Sequence, residues 1–366
     1  MFDFLEAVPD DERLLTEARR EGVTLFGAGN FARAVHEALS AIDVEVRAFL
    51  VSEQTAATLD GIPVIALDEL NDEARSLPLW VAVYNRSAAA DLIAIAAQCW
   101  AQGIVRVRLP QEYFQIVQNL MGWRFWLCDR RSYAGVRARI ESVFGMLDDD
   151  ESRRQFLETL RFRIGIGLDQ SPLPTIAPQY FLPEIQQALA TSERGCTLVD
   201  GGAYDGDTIV KAVGAFPLVR AYAFEPDLAN FTRLSENLAT AGIPVIGYPC
   251  GLSDTTEWLE FAGGQGESCT ISRDGNTRIQ CVRLDECLIG EPVDFIKLDV
   301  EGHELAALAG ASGIIARDQP VLAIAAYHRW DDLWRIPEVI RALVPTYRIA
   351  YRIHEYNTFD GILYAI

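Results

Sequence analysis

Ten consecutive residues, Val199-Asp200-Gly201-Gly202-Ala203-Tyr204-Asp205-Gly206-Asp207-Thr208, put three aspartates into one turn of small side chains. Glycine there lets backbone amides come close to a ligand. Three carboxylates in the same turn repel a phosphate. The ligand should therefore be a cation, or a molecule rich in hydroxyl and amine donors. S-adenosylmethionine, with its sulfonium, amino group and ribose, fits. Asp200, Gly201, Gly202, Ala203, Tyr204, Asp205 and Thr208 are the candidate contacts.

Three further clusters carry polar groups after apolar runs. Phe224-Glu225-Pro226-Asp227 places Glu225 one strand–helix unit beyond Asp200, where an acid accepts hydrogen bonds from both ribose hydroxyls. Gly251-Leu-Ser253-Asp254 is placed to meet the adenine. Lys297-Leu-Asp299-Val-Glu301-Gly-His303-Glu304 is chemically the densest. Alternation puts Lys297, Asp299 and Glu301 on one face. A lysine in an apolar strand needs a carboxylate partner. Asp299 stands at the strand end, within reach of the amino group of the cofactor or the substrate and so a cofactor-binding candidate, and His303 at what reads as a helix start. Further on, Ala326-Tyr327-His328 ends another apolar strand. The expected substrate-binding groups are Lys297, Glu301, His303 and His328. His303, His328 and Asp299 are the candidate bases, histidine because it titrates near neutral pH. A divalent ion with Asp299 as a ligand needs a second clear ligand, which the sequence does not offer. A metal-free site is the expectation.

These loops need a scaffold that brings strand ends together. Apolar segments at 197–199, 221–224, 245–246, 293–298 and 321–325 alternate with helical patterns, the mark of a doubly wound parallel sheet. In such a sheet the ligand lies across the carboxyl ends of the strands. Residues 347–353 and 359–365 are strand-like with no helix between them, which predicts an antiparallel pair at the sheet edge. A second alternation runs from residue 23 to about 112. Residues 113–190 read as helices, with Asp149 or Asp150 as an N-cap and a proline-rich crossing at 171–183. The expected layout is an N-terminal helix at 1–22, a Rossmann-like domain at 23–112, a helical linker at 113–190 and a second α/β domain at 191–366.

Composition narrows the partners. The formal charge is −20, from 52 acidic and 32 basic residues, which disfavours nucleic acid and anionic membrane. No apolar run is long enough to span a bilayer. Seven scattered cysteines without a CxxC pair read as reduced thiols, and residues 1–6 lack a signal-peptide start. A cytoplasmic protein is expected, and a homodimer stays open.

With these residues in hand, the chain resembles the FkbM family of S-adenosylmethionine-dependent methyltransferases. The likeness rests on DGGAYDGDT, FEPD, GLSD, DFIKLDVEGHE, YHRWDDLWRIPEVI and the ending GILYAI, and covers roughly residues 178–366. Phe125-Trp126-Leu127 and Leu147-Asp-Asp-Asp-Glu-Ser152 are similar to one branch of it. The resemblance implies a class I methyltransferase fold and methyl transfer to a hydroxyl of a small metabolite, namely a sugar, sugar nucleotide or glycan. It assigns Asp200, Gly202 and Asp205 to the cofactor turn, Glu225 to the ribose, Ser253-Asp254 to the adenine, and Asp299 and Glu301 to a KxDxEG loop. One rival is a non-catalytic protein that binds a nucleotide sugar or S-adenosylmethionine. Another is a nicotinamide-dependent oxidoreductase built on Gly27-Ala28-Gly29-Asn30, which follows a strand and opens a helix. That turn, with Gly27, Gly29 and Asn30, is a second nucleotide site or an empty scaffold. Its domain resembles the small Rossmann-like modules of sugar-modifying acyltransferases.

Other chemistry-bearing residues have plainer readings. His36 and His354 are expected outside the catalysis. Trp123, Trp126, Trp330 and Trp334 form a sugar-stacking wall or, more commonly at near-helical spacing, core.

Overall fold

The computed structural model describes residues 1–6, 11–54, 56–166, 170–262, 270–271 and 277–366. The chain divides into two compact units. The first comprises residues 1–142, 154–174 and 355–359; the second comprises 143–153, 175–354 and 360–366. Residues 113–190, read from the sequence as a linker, are thus shared between the two. No helix among the described residues is long and apolar enough to cross a membrane.

The first unit holds six strands: β1 (Val23–Phe26), β2 (Val46–Val51), β3 (Thr58–Leu59), β4 (Ile62–Ala66), β5 (Leu79–Val81) and β6 (Val107–Arg108). They run in the order β3-β4-β2-β1-β5-β6, parallel except for β3. Central β1 is buried along its whole length, which is why it reads as an unbroken apolar run. Gly27 has φ +120 and sits so close to the Ala82 carbonyl that a Cβ would stand 2.7 Å from it. That glycine is explained by strand packing, whatever the turn binds. Gly29, by contrast, faces open space at the start of helix Asn30–Ser40.

The second unit is built on seven strands in the order β16-β17-β15-β14-β7-β8-β9. These are β7 (Cys196–Gly201), β8 (Leu218–Phe224), β9 (Val245–Tyr248), β14 (Phe295–Leu298), β15 (Val321–Ala325), β16 (Ile349–Ile353) and β17 (Gly361–Ala365). β7, β14 and β15 are buried throughout, so hydrophobic burial sets their pairing. β17 runs antiparallel to both β15 and β16, as the helix-free ending predicts. Chain order reverses between β7 and β14, the position where such sheets open a crevice.

A feature absent from the sequence reading is a second, four-stranded sheet between β9 and β14. It is formed by β10 (Gly251–Leu252), β11 (Glu257–Ala262), β12 (Thr270–Ile271) and β13 (Thr277–Val282), ordered β10-β13-β11-β12. Cys269 lies outside the described residues, and the other six cysteines are free thiols.

Candidate active site

The register of β14 on β7 sets the first element of the site. Lys297 pairs with Asp200 across the ladder, and its Nζ stands 2.9 Å from Asp200 Oδ1. Both side chains are almost fully buried. Nζ also donates to the carbonyls of Gly202 at 2.7 Å and Gly201 at 3.2 Å, and lies 5.5 Å above the Tyr180 ring. The lysine does find its carboxylate. The pair is a buried strut between β7 and β14. Burial pushes the Asp200 carboxyl up, with Lys297 opposing it.

In front of the strut, the turn is set by backbone conformation. Gly202 takes φ +71, and a Cβ there would stand 1.9 Å from the Asp299 carbonyl. Only glycine allows the turn and the end of β14 to approach so closely. Tyr204 is left-handed at φ +50, and Gly206 at φ +88 opens helix Asp207–Ala215. Asp205 Oδ1 accepts from the Asp207 amide at 3.3 Å, and Thr208 is buried beside it.

Glu225 stands at the end of β8, buried, and accepts from the Tyr204 amide at 3.0 Å and the Asp227 amide at 2.9 Å. Asn230 Nδ2 adds a third bond at 3.4 Å. These donors fix the carboxylate at the mouth of the turn, while burial raises its pKa. Pro226 separates it from Asp227, whose side chain caps helix Leu228–Leu238 through the Ala229 and Asn230 amides.

Ser253 and Asp254 follow β10. Ser253 Oγ meets His303 Nε2 at 3.2 Å and Asp254 Oδ1 at 3.2 Å. His303 is therefore drawn to the Ser253 side, and its pKa is lowered, chiefly by burial.

Asp299, just past β14, is the centre of a denser group. Tyr180 OH donates to Oδ2 at 2.7 Å and Tyr327 OH to Oδ1 at 3.4 Å. His328 Nε2 stands 3.4 Å from Asp299 Oδ1 and 3.5 Å from Glu301 Oε2. Its Nδ1 lies 2.8 Å from Glu304 Oε1. Burial disfavours charge on the His328 ring, yet Glu304, Glu301 and Asp299 outweigh it and push the ring up to about 10. Burial likewise opposes charge on Asp299, but His328, Lys297 and the two tyrosine hydroxyls hold its carboxyl below the usual range. Glu301 goes the other way: burial and the neighbouring carboxylates push it up to about 8 against the pull of His328.

Sequence reasoning missed Tyr180, Tyr327 and Glu304 as members of this group. Tyr180 lies within the proline-rich crossing, where nothing but position marks it, and its left-handed φ of +66 is a tertiary outcome. Asp299, Glu304 and His328 lie with ligand atoms within 4.8 Å of one another, a spacing that suits a divalent ion. Glu304 addresses Nδ1 and Asp299 addresses Nε2 of the one imidazole.

The remaining candidates are accounted for singly. Trp126 and Trp334 are core, Trp330 stacks edge-on against Trp334, and Trp123 is exposed. His36 packs edge-on to Phe49, and His354 Nε2 meets Tyr364 OH at 2.8 Å.

The donor set suits S-adenosylmethionine by its chemistry: a fixed carboxylate for a diol at Glu225, acids for cationic groups at Asp205 and Asp299, and Ser253-Asp254 for a base edge. Residues 200–357 match the methyltransferase FkbM domain. A segment of 103 residues is 33% identical to hexuronic acid methyltransferase AglP of Haloferax volcanii, covering 26% of this chain and 42% of that protein. The chain thus spans about two fifths of the length of this curated relative. The crystal structure of methyltransferase FkbM from Methylobacillus flagellatus KT superposes with a TM-score of 0.69 at 20% identity, covering 100% of this chain and 96% of that one, so the two share a fold. The motif loops, the sheet that aligns them and these matches together make residues 200–357 a methyltransferase domain of the FkbM family.

Proposed function

We propose that the chain transfers a methyl group from S-adenosylmethionine to a hydroxyl of a small carbohydrate-like acceptor. The observation that carries this reading is the convergence at adjacent strand ends: Glu225 at β8, the Gly202 turn at β7 and Asp299 at β14. The bound sulfonium supplies an already activated methyl group, so the protein's task is alignment and water exclusion. Glu225 holds the ribose end, and Ser253 with Asp254 the base. Tyr180 and Tyr327 hold the Asp299 carboxylate in place through their hydroxyls. The acceptor approaches from the side of Asp299 and Glu301. The carbohydrate class is supported by the hexuronic acid named for the archaeal relative.

Calorimetry with S-adenosylmethionine tests the donor: a one-to-one complex is expected, and no heat above background would remove the reading. Mass spectrometry across a panel of sugars, sugar nucleotides and glycans tests the acceptor, through the mass of one added methylene unit. Donor binding with no methylated product on any panel member would favour a binding protein over an enzyme.

A further inference from the structure

The first unit has a cavity of its own, of about 290 Å³, and none of the groups assigned to methyl transfer lines it. That volume is at the lower end of the roughly 300–1,000 Å³ usual for small-molecule sites. Arg108 lines it from the carboxyl end of β6, the edge strand of the first sheet. Carboxyl ends are where such sheets receive ligands. Asp11, Arg13 and Glu17 come from helix Asp11–Glu21, and Glu112 from the start of helix Pro110–Met121. Arg130 opens the short 3-10 segment Arg130–Val136.

Three guanidiniums and three carboxylates share this wall, yet the two signs are engaged differently. Each acid has a donor from outside the wall. Glu112 Oε2 accepts the Leu109 amide at 2.8 Å, as the cap that starts its helix. Asp11 accepts from Gln115 Nε2 and faces Arg131 at 3.6 Å. Glu17 pairs with Arg106. The cations Arg108 and Arg130 meet only main-chain oxygens. Arg130 Nη1 donates to the Ile164 carbonyl at 3.0 Å and Nη2 to the Glu112 carbonyl at 3.3 Å, which fixes the plane of its fork. Arg108 Nη1 donates to the Val107 carbonyl at 3.2 Å. Among the described residues neither forms an ion pair with a carboxylate. A guanidinium has five N–H donors, so both keep donors in reserve. Burial pushes the Arg130 guanidinium below its ordinary value; Glu112, Asp11 and Asp129 oppose this, and the like charge of Arg108 adds to it. In a chain of net charge −20, two neighbouring arginines without a carboxylate partner are a local exception. They suit the planar or tetrahedral oxygens of an anion. The cavity is roughly ten times a water's share of the liquid, so a ring fits beside the charged group.

We propose that this cavity binds a small hydroxylated anion, a sugar phosphate or a sugar acid, whose charged group is held by Arg108 and Arg130. The ligand's hydroxyls donate to the Glu112 oxygen that the helix cap leaves over. Nothing in the second unit is needed, so the proposal stands or falls apart from the methyltransferase reading.

Isothermal titration of the full chain with glucose 6-phosphate, glucuronate and glucose tests it. At least one of the two anions should bind one-to-one, and glucose at least about tenfold more weakly. Binding of the phosphate alone or of the uronate alone identifies the charged group. Hydrogen exchange on the wild type with the bound anion should slow at amides within 11–17 and 109–115. Arg108→Gln should weaken the anion by about tenfold or more. No saturable binding of either anion, or glucose binding as tightly, would overturn the proposal. So would protection confined to residues 200–357, or wild-type affinity in Arg108→Gln. The exchange experiment decides on the wild type alone, even if the variant does not fold.

Discussion

At the scale of single residues, the site is governed by how buried charges are matched. Lys297 and Asp200 compensate each other in a space that water does not reach. Removing one partner leaves the other charge stranded, so Lys297→Met should lower stability by about 3–5 kcal/mol in chemical denaturation. The double change Lys297→Met with Asp200→Leu should recover much of that loss. If the single variant is as stable as wild type, the pair is not a strut. His354 gives a pH dependence of definite sign. Burial pushes its ring from the ordinary 6.5 down to about 4, so the native ring is neutral. Below 6.5 the unfolded ring gains a proton that the native ring refuses. Its contribution is thus fully present above pH 6.5 and is lost as pH falls toward 4, a loss on the order of 3 kcal/mol. His354→Gln should flatten that part of the stability–pH curve, as followed by denaturant midpoints. A slope unchanged by the substitution would place the acid sensitivity elsewhere.

At the scale of elements, the site depends on how closely the turn after β7 meets the end of β14. A Cβ at Gly202 would overlap the Asp299 carbonyl at 1.9 Å while holding a left-handed φ. Gly202→Ala should therefore displace the loop that carries Asp299 and Glu301. Expected are a lowered midpoint and at least a tenfold loss in S-adenosylmethionine affinity by calorimetry; wild-type binding would show that the two loops yield more easily than this packing implies. The same elements show what the sequence made legible. β7, β14 and β15 could be read because strands buried on both faces leave unbroken apolar runs. The antiparallel end was legible from the lack of a helix between two strand-like segments. A partner for Lys297 could be demanded from burial cost, but its identity as Asp200 required the register of β14 on β7. The four-stranded sheet went unread because its strands are short and alternate with exposed polar residues, as in Glu257-Trp-Leu-Glu-Phe261. Tyr180 and Glu304 were invisible for another reason. One lies in a stretch without periodicity, and the other is an ordinary first-turn glutamate until His328 arrives from a distant strand.

At the scale of the whole molecule, ligand binding should be visible as stability. With S-adenosylmethionine at a hundred times its dissociation constant, the native state should gain about 2.7 kcal/mol. Scanning calorimetry should show a rise in unfolding temperature that the same concentration of an unrelated salt does not reproduce; no rise would place the binding outside the folded state. The partition of the chain has a different consequence. Residues 355–359, between β16 and β17, belong to the first unit, where Asn357 bonds Asn85, Ala90 and Leu92. Five chain crossings link the units, so no single peptide cleavage releases either of them intact. During synthesis these bonds must wait for a segment made more than 260 residues after the Ala90 and Leu92 that it meets. What looks like two modules in series is, for a ribosome or a protease, one braid.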